Sequence, residues 1–167
     1  YASERSVGVF VWKHSNEVND PANNWEQMRT FFDQVKAVGA VGIKIDFMNA
    51  ETKAVIDFEI AALKLAAERE LLINFHGCHK STGEARTYPN EVTREGIRGL
   101  ELNKMKEGPI PAWHNAALPF TRFIVGHADY TPFTVTPERL GPTTVSYTHL
   151  RAHETVLDLV CRLLLEN

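Results

Sequence analysis

The stretch GIKIDFM, at Gly42–Met48, decides the fold of this protein. It is a short apolar, β-rich run that carries two charged side chains, Lys44 and Asp46. On either side, the segments that follow Pro21 and Glu51 repeat apolar residues every three or four positions, the period of an amphipathic helix. A strand set between two such helices predicts a parallel sheet covered by helices.

Further units of the same kind follow outward along the chain. We predict additional strands at four places and a short helix around Asn115–Phe120; the strands are Val7–Trp12, Leu71–Phe75, Ile97–Leu100 and Phe123–Val125. Strand starts lie about 25 to 35 residues apart, which suits a (β/α)8 barrel or an open doubly wound sheet. No glycine-rich phosphate loop follows any strand, which favours the barrel. Because a whole barrel needs about 250 residues, we expect an α/β fold of four to five βα units, truncated at both ends.

Composition excludes several classes of partner. The chain has 167 residues, a formal net charge of −3 and 44% hydrophobic residues, as in ordinary globular domains. It has no Lys/Arg-rich run for nucleic acid, and no apolar stretch long enough to span a bilayer. The two cysteines, Cys78 and Cys161, predict free thiols and not a disulfide framework.

Polar side chains collect where the predicted strands end. Asp46, His76 and Glu101 each close an apolar run, and His127 and Asp129 follow the last one. Since a parallel barrel builds its site at the carboxyl ends of its strands, we expect these groups to face one mouth. Asp46 and Glu101 would then form a carboxylate pair for glycoside hydrolysis, at about 5 Å in a retaining enzyme or 6.5–9.5 Å in an inverting one. The sequence pattern suits either spacing.

Each candidate also has a structural interpretation. An acidic residue at a strand end such as Asp46 is often a helix cap or an ion-pair partner. Lys44 and His76 are candidate substrate-binding residues that could instead only complete internal hydrogen bonds. Trp12 and Trp113 could stack on a sugar, whereas Trp25 lies on the apolar face of its helix and is expected in the core. The histidine spacing matches no zinc motif.

Six segments, in order, resemble the catalytic barrel of glycoside hydrolase family 97. They are GIKIDFM, NFHG (Asn74–Gly77), TG with RTYPN (Thr82–Asn90), REGIRGLE (Arg94–Glu101), HNAALPFTR (His114–Arg122) and DYTP (Asp129–Pro132). The resemblance covers residues 1–143 and implies α-glucosidase or α-galactosidase activity, an oligosaccharide or glycoside substrate and a bound calcium ion. It suggests a periplasmic or secreted bacterial enzyme, although the sequence itself shows no localisation signal.

The resemblance also implies roles for individual residues. Glu101 matches the general acid, Glu95 a calcium ligand and Asp46 the nucleophile of the retaining branch. Inverting members carry a glutamate base directly after the histidine of NFHG, where this chain has Gly77. We therefore expect a retaining enzyme that acts on α-galactosides. The alternatives are an inverting α-glucosidase, a carbohydrate-binding barrel without catalysis, and an inactive fragment.

Residues 144–167 depart from the family. They resemble a translated sequencing adapter, although one face of an amphipathic helix would also suit the apolar residues Val156, Leu159, Val160, Leu163 and Leu164. We expect this tail to be non-native and without function. We also expect the isolated 167-residue chain to be inactive, since an incomplete barrel leaves sheet edges and helix faces uncovered.

Overall fold

The computed structural model describes residues 2–105 and 110–131. The described residues form two compact units, 2–97 with 125–129, and 98–105 with 110–124 and 130–131. The tail at 144–167 and Cys161 lie outside the described residues. No helix within the described ranges is long and apolar enough to cross a membrane.

The first unit is a parallel sheet with helices in its crossover connections. Its four strands pair in chain order, β1-β2-β3-β4, and all three pairings are parallel. The strands are β1 (Phe10–His14), β2 (Gly42–Asp46), β3 (Leu72–Phe75) and β4 (Glu91–Arg94). The α/β class and the parallel sheet of a partial barrel are thereby confirmed.

Three helices belong to this unit: α1 (Glu26–Ala37), α2 (Lys53–Ala67) and the short α3 (Glu84–Thr87). The Thr52 hydroxyl accepts from Val55 N at the start of α2, an ordinary side-chain cap. After α1, Gly39 adopts a φ of +77°, the left-handed conformation that ends many helices.

One face of the sheet packs against α1 and α2. Alternate strand residues Ile43, Ile45, Ile73 and Phe75 are fully buried in one core with Met28, Phe32, Phe58 and Leu63. Trp25 packs against this core, as predicted. Because side chains alternate along a strand, Lys44, Asp46 and Asn74 project from the opposite face.

Two of the predicted strands are wrong. Ile97–Leu100 is no strand, and Leu100–Lys104 forms a 3₁₀ helix instead. The fourth strand lies earlier, at Glu91–Arg94, where both terminal side chains are charged, buried and joined by an ion pair of 2.6 Å. A search for apolar runs misses such a strand.

The second error is Phe123–Val125, which falls in a 3₁₀ helix, Arg122–Val125. Ile124 and Val125 are exposed, so they do not form a buried strand. The second unit contains α4 (Ala112–Ala117) and a 3₁₀ helix at Leu118–Phe120, close to the short helix expected there.

Candidate active site

Asp46 is the last residue of β2, and its side chain is only 12% exposed. Both carboxylate oxygens receive an N–H donor: Trp12 Nε1 donates to Oδ2 over 3.1 Å, and the Phe47 backbone N donates to Oδ1 over 2.7 Å. Trp12 lies within β1 and pairs in register with Lys44 on β2. The orientation of the Asp46 carboxylate is therefore held by a side chain of β1 and by the backbone directly after β2.

The backbone directly after Asp46 is strained. Phe47 and Asn49 have φ values of +67° and +50°, which non-glycine residues seldom adopt. Ser15 Oγ donates to the Phe47 carbonyl over 3.0 Å, and Asn49 N donates to the Gly77 carbonyl over 2.8 Å. Such conformations cost about 1–3 kcal/mol each and concentrate at functional sites, where surrounding contacts maintain them.

His76 follows β3 and bridges two carboxylates. Its Nδ1 lies 3.4 Å from Asp46 Oδ1, and its Nε2 lies 3.3 Å from Glu95 Oε1. Glu95 directly follows β4, and its Oε2 accepts from Gly77 N over 2.8 Å. The ends of β2, β3 and β4 thus bring Asp46, His76 and Glu95 together. The strand-end pattern predicts Asp46 and His76 at one mouth, whereas Glu95 is assigned only from the family resemblance.

Gly77 allows this close approach. Its φ is +56°, and a Cβ atom there would lie 2.9 Å from Phe47 N and 3.0 Å from Asp46 Oδ1. Real Cβ atoms essentially never come as close as 2.9 Å to such atoms. A side chain at position 77 would therefore clash with the backbone of Phe47, and Asp46 Oδ1 would have to move by a few tenths of an ångström.

A second polar layer lies two residues further back along the strands. Lys44 Nζ and Asn74 Nδ2 donate to Asp129 Oδ2 over 2.9 and 3.0 Å. Burial acts to raise the pKa of Asp129, but these hydrogen bonds and the positive charge of Lys44 outweigh it. The pKa of Asp129 therefore lies below its usual value.

A network of buried charged side chains joins β4 to Glu59 of α2 and to His79. The Arg94 guanidinium contacts Glu91 Oε1 at 2.6 Å and Glu59 Oε2 at 3.2 Å, and His79 Nε2 lies 2.9 Å from the same Glu59 oxygen. All four side chains are less than a tenth exposed. Nearby, burial raises the pKa of the Cys78 thiol to about 12, so this free cysteine is a poor nucleophile.

Glu101 lies in the second unit, in the 3₁₀ helix Leu100–Lys104, and is half-buried. It does not close a strand, contrary to the sequence interpretation. The Asp46–Glu101 pairing stays a prediction. Trp113 lies in α4 and is 71% exposed.

The donor chemistry of the first unit suits calcium only in part. The carboxylate of Glu95 is an oxygen ligand of the kind calcium prefers, but His76 beside it offers nitrogen. One carboxylate supplies at most two of the six to eight oxygen ligands that calcium takes. Glu95 would therefore supply one or two of the oxygen ligands of a calcium site.

Comparison with known proteins agrees with the fold of the first unit. The family model for glycoside hydrolase 97 matches residues 1–97. The chain belongs to glycoside hydrolase family 97. Among relatives in this family, a probable retaining α-galactosidase of Streptomyces bingchenggensis is 37% identical over 132 residues, which cover 79% of this chain and 19% of the relative. The retaining α-galactosidase of Bacteroides thetaiotaomicron is 31% identical over 134 residues, covering 78% and 19%.

Solved family 97 structures have the same fold in this region. An enzyme from Pseudoalteromonas sp. strain K8 in complex with acarbose is 28% identical, with a TM-score of 0.66, over 79% of this chain and 22% of that one. The same source gives a complex with panose, at 26% identity and a TM-score of 0.67, over 80% and 23%. The family 97 chain thus spans about a fifth of the length of its curated relatives.

Proposed function

We propose that this chain is the nucleophile-bearing part of a retaining α-galactosidase. The observation that carries the proposal is the close approach of Asp46 and Gly77. Asp46 is oriented by Trp12 and Phe47, while Gly77 leaves no side chain at the position of the inverting base. A carboxylate at a strand end, with no carboxylate side chain at position 77, suits double displacement.

In this mechanism Asp46 attacks the anomeric carbon as the bond to the leaving oxygen breaks. Glu101, as general acid, gives its proton to that oxygen, and a covalent glycosyl ester on Asp46 results. Glu101 then takes a proton from water, which attacks the same carbon and releases the sugar with its original configuration. Two displacements at one carbon account for the retention.

The remaining site residues have supporting roles in the proposal. Trp12 aligns Asp46 and is available for contact with the sugar, since half of its surface is exposed. Lys44 and His76 supply polar contacts to the substrate. Calcium, held in part by Glu95, would supply a positive charge near the reacting sugar when bound.

The names of the two curated relatives, both retaining α-galactosidases, support the proposed substrate class. α-Glucosides are the second candidate, because the Pseudoalteromonas enzymes bind the glucose-based ligands acarbose and panose. The chain covers one part of a barrel, so the activity is proposed for the complete enzyme that contains it.

The test is proton NMR of hydrolysis by that complete enzyme, with matched aryl α-galactoside and aryl α-glucoside substrates. We expect faster cleavage of the galactoside and release of the α-anomer first. If the β-anomer is released first, the reaction inverts, and Asp46 would be a general base. Faster cleavage of the glucoside would support the second candidate.

A further inference from the structure

One row of side chains crosses the sheet directly below the layer that contains Asp46 and His76. Trp12, Lys44, Asn74 and Thr93 are register partners on the four neighbouring strands. Lys44 and Asn74 lie two residues before Asp46 and His76, so they share a face of the sheet with them. Barrel interiors are normally filled by bulky branched residues, whereas this row is mostly polar.

Asp129 joins this row from a distant part of the chain. Its Oδ2 accepts from both Lys44 and Asn74, which are 85 and 55 residues away in sequence, and lies 3.9 Å from His76 Nε2. The backbone N of Asp129 donates to the Arg94 carbonyl over 3.0 Å, which anchors the residue to the end of β4. Asp129 therefore connects three of the four strands.

The row also offers unused hydrogen-bonding capacity. Asn74 Oδ1 is buried and has no hydrogen-bond partner among the described residues, an arrangement that costs about 1–3 kcal/mol. The Lys44 ammonium has three donors, of which Asp129 takes one. A sugar hydroxyl both donates and accepts, so it could satisfy Asn74 Oδ1 and accept from Lys44.

We propose that Asp129 is a positioning residue that holds Lys44 and Asn74 beneath Asp46 so that both bind hydroxyl groups of the terminal sugar. The proposal rests on the proposed glycosidase function. Lysine has a flexible four-carbon stem, and without an anchor its ammonium group would sample many positions. Asp129 holds the Lys44 ammonium group in place through their ion pair of 2.9 Å. In this proposal it does not contact the reacting atoms.

The experiment is a double-mutant cycle in the complete enzyme with Asp129→Asn, Lys44→Met and the two together. Asn keeps the size of the side chain but removes the charge that holds Lys44. We expect Asp129→Asn to raise KM by about tenfold, the loss of one charged hydrogen bond, with kcat within about threefold. The inhibition constant of free galactose should rise in parallel.

The double mutant distinguishes a positioning role from a general structural role. If Asp129 acts through Lys44, adding Asp129→Asn to Lys44→Met should change KM little further. Asp57→Asn is the matched control, because Asp57 pairs with exposed Lys53 on the surface of α2, and it should leave KM unchanged. If the Asp129→Asn variant fails to fold, the Asp129→Ser variant, which keeps a hydrogen-bond acceptor at this position, takes its place in the cycle.

The inference would be overturned if the KM increases of the two single mutants multiply in the double mutant, or if Asp129→Asn leaves KM unchanged. The proposed glycosidase function would stand in either case. A drop in kcat alone would also overturn it, since that would place Asp129 in the chemical step. If the unmutated enzyme hydrolyses neither an α-galactoside nor an α-glucoside, the proposed function and this inference both fail.

Discussion

Replacing Arg94 with Met should destabilise the first unit severely. Arg94 is 1% exposed and is the cation between Glu59 and Glu91, whose side chains are each 2% exposed. Removing one partner of a buried ion pair costs about 3–5 kcal/mol, because the other charge stays buried without compensation. Total stabilities are about 5–15 kcal/mol, so this single change should remove a third or more of a typical value.

Urea unfolding of the 167-residue chain, followed by tryptophan fluorescence, measures the loss. Trp25 is a suitable reporter, since it packs on Phe58 in the core of the first unit. Lys53→Met is the control, because Lys53 is 86% exposed in its ion pair and should change stability by less than about 1 kcal/mol. Neutralising the carboxylates as well, with Glu59→Gln and Glu91→Gln, should recover much of the loss.

The loss should also depend on pH. Burial raises the pKa of Glu59, although the charges of Arg94 and His79 act against it. A group with a raised folded-state pKa contributes stability below its unfolded pKa and loses that contribution as the pH rises through the folded value. Without Arg94, less positive charge opposes the effect of burial on the pKa of Glu59. The loss of stability in Arg94→Met should therefore be larger at about pH 7 than at about pH 5. A loss below 1 kcal/mol at neutral pH would refute the buried network.

Three further predictions concern the site. In the complete enzyme, Asp46→Ala should abolish hydrolysis, and azide should restore turnover with an inverted glycosyl azide product, detectable by NMR; no azide adduct would count against Asp46 as nucleophile. Trp12→Phe keeps a ring but loses the donor to Asp46 Oδ2, and kcat should fall by about tenfold. Gly77→Ala and Gly39→Ala should both lower the melting temperature, because both positions have positive φ. Only Gly77→Ala should lower kcat, since a Cβ at Gly39 meets nothing within 4 Å; equal kcat in both variants would contradict the steric argument.

Much of the fold could be predicted from local patterns. The strands around Ile43 and Ile73 and the helices α1 and α2 follow from apolar runs and helical spacing, which depend on near neighbours in the chain. The same reasoning failed at β4, because its buried residues Glu91 and Arg94 are charged and are stabilised by each other. Hydrophobicity could not identify a strand whose burial depends on ion pairing.

The candidate site, like the fold, could be predicted only in part from the sequence. Asp46, His76 and Glu95 were assigned from strand ends and from family resemblance. The sequence by itself determined which residues end β2 and β3, because alternation along a strand and the breaks after it are local properties. Only the tertiary structure decided that Gly77 lies against Asp46 and that Asp129 holds Lys44 across 85 residues of chain. Those contacts depend on how the strands pair and pack, so they cannot be read from residue spacing.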